Sequence, residues 1–133
     1  MEIDDSSSSS ELRRYAAFLG ASGVALGAAG AHGLHKQLSQ RGKVENWRTA
    51  VLYQLFHAAA LVGVSALAYQ YKDESIQYSR IGRLLAAGTF MFSGSIYCLC
   101  FEIGPKKVLG PITPLGGLFM IGGWTLLGIT SSR

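Results

Sequence analysis

The side chains able to do chemistry in this 133-residue sequence are few: three histidines, two cysteines and a handful of hydroxyls. His57 is the most informative. It lies within residues 49–71, a stretch with no Asp, Glu, Lys or Arg, and Tyr53 and Gln54 precede it by one helical turn on a similar face. An imidazole so placed can relay a proton, contact a ligand or ligate a haem. It can equally be a neutral ring hydrogen-bonded to Ser, Thr or Tyr of a neighbouring helix. His32 and His35, spaced i, i+3, can face the same way near the edge of an apolar segment. No acidic residue stands beside them in a zinc pattern, and Glu45 in the following loop is a weak cue. Tyr53, Gln54, His57 and His32 are therefore the candidate polar site.

The remaining reactive groups read as packing. Cys98 and Cys100 would sit about 200° apart around a helix axis, too far to grip one metal. Ser93-Gly94-Ser95 lacks the base-and-acid set that would make either serine a nucleophile. Gly116-Gly117 and Gly122-Gly123 lack the strand–loop–helix setting of a phosphate loop. No catalytic residue, metal or cofactor is expected, and the chain reads as a non-enzyme.

The elements that must position these residues follow from where charge is missing. Only 15% of residues are charged and 49% are hydrophobic, whereas soluble domains average about 25% charged. Residues 15–35, 49–71, 84–101 and 108–132 carry no Asp, Glu, Lys or Arg at all. As helices these stretches would be roughly 27–37 Å long, against a bilayer core of about 30 Å. Backbone groups in lipid must pair internally, so each should be helical. A 133-residue globule could not bury four all-round apolar helices and keep a polar coat. The expected fold is all-α, an antiparallel four-helix transmembrane bundle with short loops. The helices are placed at about 15–34, 47–71, 81–102 and 113–131. Residues 15–133 then form one membrane domain, preceded by a disordered, acidic, Ser-rich tail at 1–14. Four acids in the first 11 residues argue against a mitochondrial or plastid transit peptide.

Finer features fill in the frame. Gly20, Gly23, Gly27 and Gly30 form one stripe that lets a neighbouring helix approach closely, and Gly23 and Gly27 could serve self-association. Trp47, Tyr69 and Tyr71 fall where the two headgroup levels would be. Thr113 and Pro114 suggest an N-cap and first residue of the last helix, with one longer helix kinked at Pro114 as the alternative. Both termini fall on one side. Lys and Arg divide six to six between the sides, so the positive-inside rule does not orient the bundle. Lys36, Arg41, Lys43, Arg48, Lys106 and Lys107 share the side away from the termini, a face suited to anionic lipid headgroups. This loop charge accounts for the sequence pI of about 9.3, and nucleic acid is not an expected partner.

Several strings are similar to a known family. They are Ala25-Leu26-Gly27-Ala28-Ala29-Gly30-Ala31-His32-Gly33-Leu34, Trp47 with Thr49-Ala50-Val51-Leu52-Tyr53-Gln54-Leu55-Phe56-His57-Ala58, Ala87-Gly88, Phe92-Ser93-Gly94-Ser95-Ile96-Tyr97, Leu109 through Gly117, and Gly123-Trp124. Together they cover nearly all of residues 15–130 and resemble the small membrane proteins of bacterial YgdD type (domain of unknown function 423), related to the eukaryotic transmembrane protein 256 group. The resemblance implies a multi-pass membrane protein of about four helices and no established catalytic activity. Ala29 stands where the family pattern commonly has Phe, and the acidic tail lies outside the pattern.

Two functions are in play. One is a structural or accessory protein that packs with other membrane proteins or with membrane lipids. The other is a small transporter or proton-coupled channel using intramembrane His57. The membrane would be the plasma membrane in a bacterium, with an organelle membrane open for a eukaryote.

Overall fold

The computed structural model describes residues 5–130. The first four residues of the expected tail, and Arg133 in the charge count, lie outside them. Among the described residues there is no strand. The chain runs α1 (Asp5–Ala31), a short corner helix α2 (His35–Gln40), α3 (Val44–Gln70), a 3-10 turn (Lys72–Glu74), α4 (Ser75–Cys100) and α5 (Lys106–Ile129). The four long helices alternate in direction. Gly20 of α1 faces Ala58 of α3 and Gly27 faces Val51, Ser93 of α4 reaches Ala50 of α3, and Gly88 of α4 meets Gly116 of α5. The fold is thus the expected antiparallel bundle, with connections too short for any other arrangement.

Three helices among the described residues are long and apolar enough to cross a membrane: Val44–Gln70, α4 with its preceding turn (Lys72–Cys100), and Lys106–Ile129. α1 is equally long, but glycine, alanine and serine hold places that leucine and isoleucine hold in the others.

Every helix begins earlier than the charge gaps suggest. α1 starts by Asp5 rather than near residue 15, and Leu12 is 0% exposed. The expected disorder through residue 14 is therefore corrected for residues 5–14. Leu12 inserts where Gly82 of α4 has no side chain, and Glu11 accepts a 2.8 Å hydrogen bond from Arg83. These contacts offset the ordering entropy that composition alone could not. α3 and α4 likewise begin at Val44 and Ser75. A helix does not end where lipid ends, because its charged turns are simply solvated.

α5 starts at Lys106, after Pro105, and runs continuously through Pro111 and Pro114. Thr113 is therefore not an N-cap. Its hydroxyl lies 2.6 Å from that of Ser95 and 3.3 Å from the Leu109 carbonyl, tying α5 to α4. Each proline removes one helical N–H, a loss tolerated in membrane helices when neighbouring hydroxyls rearrange to compensate.

Small residues set how closely the helices approach. A Cβ built on Gly116 would lie 2.6 Å from the Phe92 amide nitrogen and 2.7 Å from the Gly88 carbonyl. Here α4 and α5 touch backbone to backbone. The stripe of Gly20, Gly23, Gly27 and Gly30 is taken up within the chain by Ala58, Leu55, Val51 and Trp47 of α3. The stripe is thus packed against α3 within the chain.

Gly116→Ala is expected to destabilise the bundle by about 1–3 kcal/mol, because neither facing backbone can rotate away. Gly63→Ala, which meets nothing within 4 Å, should be neutral or stabilising by up to ~1 kcal/mol. Thermal unfolding of both variants in mild detergent checks the contrast.

Candidate functional site

The glycine stripe places the first polar contact. Because Gly30 has no side chain, the Trp47 indole approaches α1 by its N–H edge, which donates to the Leu26 carbonyl at 2.9 Å. The ring also packs on Tyr97 and Phe101, with centroids 4.6 and 5.7 Å away. Trp47 is only 5% exposed, so it is a wedge between helices and not a headgroup anchor. Tyr69, by contrast, is exposed, with the Lys72 ammonium 4.5 Å over its ring.

Two turns along α3, Gln54 binds three helices together. Its amide nitrogen donates to the Leu19 carbonyl at 2.9 Å and to the Ser22 hydroxyl at 2.8 Å, both on α1. Its oxygen accepts from the Tyr97 hydroxyl of α4 at 2.7 Å. An amide with both N–H groups and its oxygen engaged is close to saturated. Gln54 is 4% exposed, and burial makes each of these bonds costly to lose.

His57 faces a different neighbour. Its Nδ1 lies 2.8 Å from the Tyr53 carbonyl, and its Nε2 lies 3.1 Å from the Trp124 indole nitrogen of α5. A carbonyl can only accept and an indole N–H can only donate. The ring is therefore neutral, with the proton on Nδ1. The imidazole is 4% exposed and sits among Tyr53, Phe56 and Trp124. These residues, with Leu52, Gly117, Met120 and Ile121, line an apolar groove of about 430 Å³ between α3 and α5.

The structure thus separates the four candidate residues. Gln54 turns to α1 and α4 and His57 turns to α5. Tyr53 is exposed and stacks on Phe92 and His57. His32 is exposed just past the end of α1 and joins none of them. The partners Tyr97 and Trp124 were not identified from spacing. The available signal was chemical, since a tyrosine or tryptophan inside a membrane must place its O–H or N–H.

The basic face is also divided. Arg41, Lys43 and Lys106 line one groove with Glu102. Arg48 pairs with Glu45 at 2.8 Å and borders another groove with His35 and Trp47. Lys36 and Lys107 are exposed outside both. Glu102 bonds Lys106 at 2.8 Å and lies 3.8 Å from Arg41. The hydrogen bond from the Lys106 ammonium, with Arg41 nearby, holds the Glu102 carboxyl below the usual carboxylate range.

Comparisons with known proteins place the chain among membrane proteins. Residues 26–117 match a family model described as a protein of unknown function, DUF423. A UPF0382 membrane protein of Schizosaccharomyces pombe is 39% identical over 117 residues, covering 84% of this chain and 93% of its own. The UPF0382 inner membrane protein YgdD of Escherichia coli K12 is 40% identical over 121 residues, covering 90% and 87%. A UPF0382 membrane protein of Staphylococcus haemolyticus is 39% identical over 110 residues, covering 83% and 85%. No solved structure matches the chain.

Gln54→Leu is expected to cost about 1–2 kcal/mol, since it leaves the Tyr97 hydroxyl and the Ser22 hydroxyl without a shared partner. Tyr97→Phe should cost less, and the double variant less than the sum of the two. Reversible unfolding in micelles measures the cycle; strictly additive costs would mean that the two side chains are not coupled.

Proposed function

Because the chain belongs to the DUF423 family of membrane proteins, we propose that it is a non-enzymatic accessory protein that packs against other membrane proteins through the outer faces of α3 and α5. The observation that carries this reading is the groove between those helices. Leu52 and Phe56 on one wall and Ile121 and Trp124 on the other are exposed apolar side chains, with Leu118 beside them. Between them the groove, about 430 Å³ with an apolar lining, suits a ridge of side chains from another helix. His57, the buried polar side chain that lines it, already has both ring nitrogens bonded within the chain.

The same use of polar groups supports a role without catalysis. Ser93 donates to the Ala50 carbonyl at 2.7 Å and Thr89 to the Leu85 carbonyl at 2.7 Å. These hydroxyls join or brace helices. A transporter or proton-coupled channel is the weaker reading. A relay needs an imidazole that can gain a proton from one side and lose it to another. His57 would first have to break its bond to Trp124, and the groove beside it is apolar. By likeness to the Escherichia coli relative, a bacterial setting means the inner membrane; a eukaryotic setting leaves an organelle membrane.

A photo-crosslinking side chain at Leu118, in native membranes, should give one or a few discrete protein adducts, and the same adducts should fade when Phe56 is replaced by Asp. In proteoliposomes, no proton flux that depends on His57 is expected. Adducts to lipid alone, together with a flux abolished by His57→Leu, would overturn the proposal in favour of transport.

A further inference from the structure

At the end of the bundle away from the described termini, a groove of about 710 Å³ opens between the start of α3, the end of α4 and the first turns of α5. Its mouth carries Arg41, Lys43, Lys106 and Glu102, and its inner walls include Ile96, Leu99 and Pro114 alongside Asn46 and Thr113. Charge therefore sits at one end and apolar surface at the other. The apolar residues lie about one to two turns further into α4 and α5 than Glu102 and Lys106, roughly 4–12 Å toward the bilayer centre.

Glu102 is the anomaly at this mouth. Its φ of 54° is left-handed, the one such non-glycine residue among the described residues. It occupies the position after the last turn of α4. There its N–H donates to the Leu99 carbonyl at 3.3 Å, and the Ile103 N–H donates to the Cys98 carbonyl at 2.9 Å. That pair of bonds is the helix ending at which glycine is normally found, because a Cβ is strained there. A glycine would close α4 more comfortably. What the glutamate adds is a carboxylate between two cations, 2.8 Å from Lys106 and 3.8 Å from Arg41. Arg41 is steadied from its other side by the Phe101 ring, 5.4 Å away. Lys43 forms no ion pair among the described residues. Three cations thus surround one carboxylate and leave positive charge unmatched.

We propose that this groove binds the phosphate of an anionic phospholipid. Arg41, Lys43 and Lys106 hold the phosphate oxygens, an acyl chain lies along Ile96, Leu99 and Pro114, and Glu102 is a built-in competitor that fills the anion position when the lipid is absent. The polar-to-apolar gradient selects a lipid over a free phosphate ester, whose small body would leave the apolar walls unused. The site lies at the opposite end of α5 from Trp124, so it stands or falls separately from packing on a protein partner.

Native mass spectrometry of the full chain, released from mixed micelles of phosphatidylglycerol and phosphatidylcholine, tests this. Wild type should retain phosphatidylglycerol roughly tenfold in preference, an amount typical of one or two charge-assisted contacts. Lys43→Gln with Lys106→Gln should bring the preference near parity, whereas Lys36→Gln with Lys107→Gln should leave most of it. Glu102→Gln keeps the strained backbone but removes the competing charge, and should raise phosphatidylglycerol retention severalfold. The native fluorescence of Trp47 and Trp124 confirms that each variant is folded. No preference in wild type, or a preference that survives loss of Lys43 and Lys106, would overturn the site. Weaker binding in Glu102→Gln would overturn the competitor role. Displacement of lipid by glycerol 3-phosphate at comparable concentration would assign the groove to a soluble phosphate ester and overturn the lipid.

Discussion

A polar side chain inside a membrane must find its partner without water, and a backbone carbonyl is within reach only where two helices come unusually close. This constraint shapes the bundle. Gly30 has no side chain, so Trp47 can reach the Leu26 carbonyl. The same stripe brings α1 close enough for Gln54 to reach Leu19 and Ser22. On the next interface, Ser93 bonds the Ala50 carbonyl, while Gly88 and Gly116 hold α5 against α4 so that Thr113 meets Ser95. Small residues and polar residues are two halves of one device. The first set the distance and the second exploit it.

The device explains why the fold was legible and its edges were not. Four gaps in charge locate four helices, because an unpaired charge in lipid is expensive wherever it falls. The converse fails, since a charge does not end a helix. Glu11, Arg13 and Arg14 lie inside α1, and Arg80 and Arg83 lie inside α4. The low-complexity serines at the start of α1 read as disorder because serine has little to bury. Yet Ser8 and Ser9 are buried, since a small side chain is what a close helix contact requires. Thr113-Pro114 misled for a similar reason. Both residues are good helix starters in water, but here the threonine serves a neighbouring helix and the proline falls in the third turn.

The polar site was half legible. Spacing alone marks His57 and Gln54 as buried in an apolar segment, and both are. It could not show that they serve different helices, because the partners are far along the chain: Tyr97 is 43 residues from Gln54 and Trp124 is 67 from His57. Trp47 was misplaced because tryptophan near a helix end usually marks the headgroup level. What overrode that tendency was Gly30, a residue that looks like one member of a stripe until the indole is seen filling its place.

The two charged ends of the bundle solve different problems. At the end where the described residues begin, Glu11 and Arg83 pair across 72 residues of chain at 2.8 Å, fastening α1 to α4. The Arg83 guanidinium, and after it the Tyr15 hydroxyl, hold the Glu11 carboxyl below its ordinary range. A carboxyl so lowered contributes stability above its unfolded-state value and loses it as pH falls through the folded-state value, so this fastening belongs to neutral and mildly acidic conditions. At the far end, the close pairs Arg48 with Glu45 and Lys106 with Glu102 span only three or four residues, and the longer-range contact of Arg41 with Glu102 is looser, at 3.8 Å. Such exposed local pairs add little to the fold. An end that gains little stability from its charges, yet keeps a strained glutamate among three cations, is arranged for something other than holding itself together.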